Sequence, residues 1–288
     1  MHVWSKLASA RWRDAWEDRV LGLGQTNAVI RGLPGGKTIR IEVYCETEGD
    51  AEQLKADFGG SVRRLASKNW AKHGGPRVSK PMKIRDRLLV TGERDEGKVA
   101  RLRKAYPDRE VIMIPAEMAF GTGEHETTST CLRFLVDASR ELGRGGRAWD
   151  VLDLGTGTGI LAIAASKLGA RRVEACDYDP HAIRVAGVNL DRHEVRDVVQ
   201  LRQHDVLAWE PTEMERYDCV TANLFSDVLS ASFGKIAEVT RPGGVVIASG
   251  ILAEQSEGCL HAAREAGLEI GEVKRKGKWV TFRSSKLG

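Results

Sequence analysis

The chain has 288 residues, with 44 Lys+Arg against 40 Asp+Glu, 42% hydrophobic and 29% charged side chains; this excludes extended disorder and leaves room for about two domains, one with a sizeable core. No run approaches the ~20 apolar residues of a membrane helix, and the charged first thirty residues lack the apolar stretch of a secretory signal. Charge is uneven: residues 1–110 carry 23 basic and 15 acidic groups, residues 111–288 carry 21 and 25. A basic first part fits contact with RNA, a ribosome surface or an acidic protein, and equally a plain solvated surface. Five separated cysteines (Cys45, Cys131, Cys176, Cys219, Cys259) without a CxxC pair argue against a zinc ribbon and for a reducing cytoplasm.

Residues 5–21 predict an amphipathic helix, because Trp4, Ala8, Trp12, Trp16 and Val20 recur every four positions. The two tryptophans inside that span are expected in the core. Asn27–Leu33 and Thr38–Cys45 alternate apolar and polar residues around Pro34-Gly35-Gly36 and predict a hairpin. Asp50 is expected to cap a short helix carrying Ala51, Leu54 and Phe58. Ser61–Ala66 and Leu88–Val90 read as strands, residues 71–83 as loop, and Asp95 as the cap of a charged helix to about Tyr106. The first domain is thus expected over residues 1–92, a small α+β recognition unit, followed by a linker helix over 93–110.

From residue 111 the pattern changes. Val111–Ile114 predicts a strand, Phe120–Thr128 a loop, and a helix follows to about Leu142. Strands then alternate with helices: Asp150–Leu154, helix Gly159–Leu168, Arg172–Asp177, helix Pro180–Asp191, Val199–His204, Asp218–Asn223, helix Phe225–Thr240 and Val245–Ser249. That rhythm predicts a parallel sheet with helices on both faces. Arg241–Gly244 is read as a turn. A last helix near 254–265 precedes two strand-like segments that turn at Lys276-Gly277.

The strongest motif is Asp153-Leu154-Gly155-Thr156-Gly157-Thr158-Gly159-Ile160 at a strand-to-helix junction. Gly155 suits the tight turn, Gly157 close approach of a ligand to the backbone, and Gly159 close packing of helix on strand. Ile160 stands where a dinucleotide fingerprint has its last glycine, so that fingerprint is not met. Asp153 suits a cationic amino-acid group better than a pyrophosphate. Asp177, 22 residues past Gly155, ends the next strand and suits a ribose. Asp179 before Pro180 fits a helix cap. Asp205 suits an exocyclic adenine amine or a polar loop. Asn223 ends the fourth strand, where reacting atoms gather or where a helix is capped.

Together these residues resemble the class I S-adenosylmethionine-dependent methyltransferases. With Ala119-Phe120-Gly121-Thr122-Gly123-Glu124-His125-Glu126-Thr127-Thr128, Leu161–Ala165, Ala222-Asn223-Leu224 and Ser249-Gly250-Ile251-Leu252, residues 111–288 resemble more narrowly the PrmA type, ribosomal protein methyltransferases that modify large-subunit protein eleven. The chain departs from that type at 114–118, where Asp-Pro-Gly is usual, and at Glu126, where Pro is usual.

The resemblance implies an α/β fold, a Rossmann-like seven-stranded methyltransferase sheet whose last strand is antiparallel, with a smaller N-terminal α+β domain. It implies S-adenosyl-L-methionine as cofactor, held by Thr128, Gly155, Asp177 and Asn223. Phe120, Gly123 and His125 would belong to a loop closing over the methyl group. The target would be lysine or N-terminal amines of a ribosomal protein, modified in the cytoplasm.

Chemically, Asn223 is expected to orient the amine, His125 to take its proton or to fix the loop, and Phe120 to meet a cation or to pack. Cys176 and Cys219 lie in apolar strands and are expected to be inert. No metal spacing is present. Methylation of another protein's lysine, methylation of a small molecule, and a non-catalytic ribosome- or RNA-binding protein on the same scaffold remain as alternatives, and direct nucleic-acid binding stays open.

Overall fold

The computed structural model describes residues 2–10, 16, 28–33, 36–45, 47–64, 80–115, 126–212 and 216–287. The chain divides into two compact units, Met1–Arg77 and Val78–Gly288.

Among the described residues, the first unit shows a four-stranded antiparallel sheet and a helix packed with it. Strands β1 (His2–Ser9), β2 (Ala28–Gly32), β3 (Thr38–Cys45) and β4 (Ser61–Arg64) are ordered β2-β3-β1-β4, and helix α1 spans Glu48–Phe58. The predicted hairpin is therefore present. The helix expected over residues 5–21 does not begin at residue 5, because residues 5–9 belong to β1; Trp16, farther along the same span, is helical. A spacing of four places Trp4 and Ala8 on one face of a strand as well as of a helix, so the pattern does not separate the two. Residues 11–15 and 17–21 of that prediction, Trp12 among them, lie outside the described residues. Trp16 is buried as expected, its ring 6.3 Å from Trp4 and 5.8 Å from Phe58. Helix α1 is capped by Thr47 rather than Asp50: Thr47 Oγ1 accepts from the Asp50 N–H at 3.2 Å and donates to its carboxylate at 2.6 Å.

The second unit opens with a small sheet, β5 (Met82–Ile84), β6 (Leu88–Thr91) and β7 (Glu110–Met113). Helix α2 (Glu96–Ala105), capped by Asp95, is the crossover between the parallel strands β6 and β7. Strands β5 and β6 thus precede the expected boundary at residue 92, and β6, paired with β5 on one side, pairs on the other with β7 beyond it. Helix α3 (Glu126–Leu142) follows, and its amphipathic face buries Cys131, Leu132, Leu135 and Ala138.

The main sheet then builds from β8 (Asp150–Leu154), α4 (Ile160–Lys167), β9 (Arg172–Asp177), α5 (Pro180–Arg192), β10 (Val199–Gln203), β11 (Tyr217–Asn223), α6 (Ser226–Val239), β12 (Thr240–Leu252), α7 (Ser256–Glu265), β13 (Leu268–Lys276) and β14 (Trp279–Lys286). Its order is β10-β9-β8-β11-β12-β14-β13. The first five are parallel, and β14 runs antiparallel to β12 and β13. The expected seven-stranded α/β sheet with an antiparallel last strand is what the chain forms. One apolar core contains residues of α3, α4 and the small sheet; the other contains residues of α6 and α7. The turn expected at 241–244 sits inside the long β12 as an irregularity of its pairing with β11, with Gly243 at φ +73°.

At the other end of the parallel strands, buried Asp150 and Asp218 are bridged by Arg241, with Arg171 on Asp150 at 2.6 Å and Arg147 on Asp218 at 2.9 Å. Among the described residues no helix is long and apolar enough to cross a membrane.

Candidate methyl-donor site

The chain runs outward from β8 to β9 and β10, then returns to place β11 on the other side of β8. Such a switch point opens a crevice at the carboxyl ends of the strands. The register aligns Leu154 with Cys176 and with Ala222, and Asn223 with Ser249. One residue further on, Asp177, Gly155, Asn223 and Ser249 form a row across that edge. Three of the four sequence candidates for donor contact therefore share one row.

The glycine loop is built as a rigid bed. Gly155 has φ +69°, which favours glycine, and a Cβ there would overlap the end of the Leu224 side chain. On the opposite side of the same residue, Gly250 at φ +89° leaves no room for a Cβ against the Leu224 carbonyl. The segment after β11 is thus wedged between two glycines. Gly159 faces Ala186 on α5, where a Cβ would stand 3.4 Å from the alanine methyl. It permits helix-on-helix packing, not the helix-on-strand packing expected.

Asp153 is buried beneath the loop. Its carboxylate accepts from Thr156 Oγ1 and Thr221 Oγ1, both at 2.6 Å. Burial pushes its carboxyl up to about 6 despite those hydroxyls. Asp177 lies at the edge, with one oxygen accepting from the Gly157 N–H at 2.9 Å and the other from the Asp179 N–H at 3.1 Å. Burial raises its carboxyl too, against those backbone donors. Each oxygen keeps acceptor capacity for a further donor. Asp179 is the α5 cap, as expected, accepting from the His181 N–H. Tyr178, between the two, is 73% exposed. Asp205 is exposed, and one of its oxygens accepts from the Leu207 N–H at 2.9 Å.

Among the described residues three buried side-chain oxygens lack a hydrogen-bond partner; Ser284 Oγ is on β14, and the other two stand out. Thr128 Oγ1 and Asn223 Oδ1 are buried without a hydrogen-bond partner. Buried polar atoms are seldom left so, because an unmet acceptor carries its full desolvation penalty. Thr128 lies within the first turn of α3, which begins at Glu126, so it does not cap the helix. One turn on, the buried Cys131 thiol lies beside Ser249, the β12 partner of Asn223. Both orphans therefore border the same edge of the sheet. They are what a polar ligand in the crevice would satisfy. Phe120, Gly123 and His125 lie outside the described residues.

Several supporting residues carry little sequence signal. Thr221 sits inside an apolar strand, and Asn189, buried on α5, donates to the Thr158 carbonyl at 2.9 Å and ties the loop to that helix. A polar residue at a buried helical position was the available clue for Asn189. The five cysteines are free and buried, and burial pushes the Cys131, Cys176 and Cys219 thiols up to about 12. That fits inert core thiols. Among the described residues no group of His, Cys, Asp or Glu is arranged to hold a metal ion.

Many known proteins are similar to this chain. Residues 11–286 match the family described as ribosomal protein L11 methyltransferase (PrmA). A curated ribosomal protein L11 methyltransferase from Pelotomaculum thermopropionicum is 40% identical over 222 residues, covering 77% of this chain and 67% of its own length. One from Heliobacterium modesticaldum is 34% identical over 277 residues, covering 90% of this chain and 82% of its own. The crystal structure of a ribosomal protein L11 methylase from Lactobacillus delbrueckii subsp. bulgaricus superposes with a TM-score of 0.59 at 26% identity, over 73% of this chain and all of that one. With a match spanning nearly its whole length, both units included, the chain belongs to the ribosomal protein L11 methyltransferase (PrmA) family.

Proposed function

We propose that the chain transfers methyl groups from S-adenosyl-L-methionine to lysine and N-terminal amines of ribosomal protein L11. The observation that carries this reading is the pair of orphaned oxygens, Thr128 Oγ1 and Asn223 Oδ1, beside the row that holds Gly155 and Asp177. When bound, the donor supplies a methyl group on a positively charged sulfur, already activated for transfer to nitrogen. Asp177 then offers its remaining lone pairs to the ribose hydroxyls. Thr128 and Asn223 take the donor's polar groups, Tyr178 lies beside the ribose-binding carboxylate, and Asp205 is the acceptor for the adenine amine. Asp153 acts from below, holding Thr156 and keeping the loop in shape.

The remaining work is alignment and deprotonation. Holding a nucleophile in line contributes on the order of 7–11 kcal/mol. A lysine amine of ordinary pKa near 10.4 is charged at pH 7, and freeing its lone pair costs about 4.6 kcal/mol. An apolar cleft lowers that cost by disfavouring the ammonium. Asn223 Oδ1 accepts one N–H of the neutral amine and directs the lone pair. His125 is the proton acceptor in this reading, and Phe120 with Gly123 closes the site. The cytoplasm is the proposed location, in keeping with five free thiols.

The test is incubation with a donor labelled in its methyl group, recombinant L11 and a fractionated extract, followed by mass spectrometry. Label on L11 amines is the expected result; label confined to small metabolites overturns the target. Titration calorimetry with S-adenosylhomocysteine tests the site separately. Asp177→Ala is expected to weaken binding about 10- to 100-fold, since each charge-assisted hydrogen bond is worth roughly 1.5–3 kcal/mol. Unchanged affinity removes Asp177 from the site.

A further inference from the structure

Helix α6 begins in an unusual way. Its N-cap position is Phe225, in extended backbone at φ −63° and ψ 150°, and no side chain caps the helix. Ser, Thr, Asn or Asp is the ordinary choice there, because a side-chain oxygen meets one of the open N–H groups of the first turn. The neighbouring Ser226 does not compensate, since its hydroxyl donates to Gln255 at 2.6 Å. The ring is not recovered by packing either: Phe225 is 59% exposed, whereas Phe134, Phe233 and Phe282 of the same unit are buried. A capping position has thus been given to an exposed aromatic side chain.

Its place in the fold gives that choice a purpose. Phe225 follows Asn223, with its orphaned Oδ1, and Leu224, which covers Gly155. At this strand-to-helix junction, buried Asn223 is followed directly by apolar Leu224 and then by the exposed aromatic ring of Phe225. An amine presented to Asn223 arrives on an aliphatic stem, and an uncharged amine at that point starts as an ammonium. An aromatic face suits both, covering methylenes by apolar contact and attracting a cation by its quadrupole.

We propose that Phe225 is a specificity-determining residue that receives the aliphatic stem and ammonium of the target side chain at the mouth of the site. The inference rests on the amine-methylation reading above. It assigns Phe225 to the protein substrate and not to the methyl donor.

The experiment compares wild type with Phe225→Asn, Phe225→Leu and Phe225→Tyr. Thermal midpoints, S-adenosylhomocysteine affinity by calorimetry, and steady-state methylation of recombinant L11 are measured on each. Phe225→Asn restores a cap, so it is expected to melt above wild type, to bind S-adenosylhomocysteine equally well, and to raise KM for L11 roughly tenfold with kcat largely kept. Phe225→Leu is expected to fall between, keeping apolar contact without the ring face, and Phe225→Tyr to match wild type. A lowered midpoint for Phe225→Asn with unchanged KM shows a packing role and overturns the inference. Loss of S-adenosylhomocysteine affinity in Phe225→Asn overturns it as well, moving the residue to the donor. If wild type itself leaves L11 unlabelled, the underlying reading fails first, and Phe225 loses its role with it.

Discussion

The side chain of Leu224 occupies the space that a Cβ on Gly155 would need, while its backbone carbonyl occupies the space that a Cβ on Gly250 would need. Both glycines also have φ in the left-handed region, +69° and +89°, which costs an L-residue roughly 1–2 kcal/mol. The two positions differ in what can yield. Leu224 Cδ2 ends a flexible side chain, whereas its carbonyl belongs to the wedge itself. Gly155→Ala is therefore expected to destabilise by about 2–4 kcal/mol, conformational strain and overpacking together. Gly250→Ala is expected to be worse. Adding Leu224→Ala should recover part of the loss at Gly155 and none at Gly250, a non-additivity read from denaturation midpoints of the singles and doubles. Equal rescue at both positions contradicts the wedge.

Thr128 gives a prediction of opposite sign for stability and binding. Its buried hydroxyl oxygen has no partner in the protein, and leaving such a group unmet costs about 1–3 kcal/mol. Thr128→Val keeps the shape and removes the oxygen. Without ligand, the variant is expected to melt at or above the wild-type temperature. With saturating S-adenosylhomocysteine, it should gain less than wild type, because the hydroxyl that the ligand satisfies is gone. A variant that is destabilised alone and stabilised normally by ligand would make Thr128 a packing residue only.

Much of this was legible in the residues, for identifiable reasons. The main sheet followed from apolar runs alternating with helical periods, and Asp179-Pro180 and Asp95 marked helix starts because their chemistry is local. Gly155, Asp177 and Asn223 fell at strand ends, which is where a doubly wound sheet gathers its ligands. What was not legible depended on contacts distant in sequence. Gly250 reads as an ordinary strand glycine until Leu224 is seen against it. Thr221 and Thr156 matter only because they converge on Asp153. The pairing of β6 with β7 is likewise a tertiary fact, since the helix between them reads equally well as a linker. The opening strand was missed because a four-residue spacing is even, so it satisfies both a pleat and a helical turn. The cap of α1 was missed by three residues because Thr47 and Asp50 hydrogen-bond each other, and either can stand first in such a pair.

Asp153 and His193 should bend the acid limb of stability in opposite directions. Burial holds the Asp153 carboxyl at about 6 against an ordinary 3.8. A group raised on folding favours the native state below its unfolded value and loses that contribution as pH rises through the folded one. The difference corresponds to about 3 kcal/mol. Asp153→Asn removes the buried charge, so its stability relative to wild type is expected to rise by up to that amount between pH 4 and pH 7.5. His193 behaves in reverse. It is buried with Nε2 at 3.2 Å from the Met113 nitrogen and 3.0 Å from its oxygen, and burial, with Lys167, Arg103 and Arg192 nearby, holds its imidazole below the ordinary 6.5. Its contribution is present above pH 6.5 and is lost as pH falls, because the unfolded chain takes the proton first. His193→Gln is therefore expected to be less stable than wild type at pH 7.5, with the gap narrowing toward pH 5. Denaturant unfolding of both variants from pH 4 to pH 8 measures the two slopes. Parallel slopes would show that neither group titrates differently in the folded and unfolded chain.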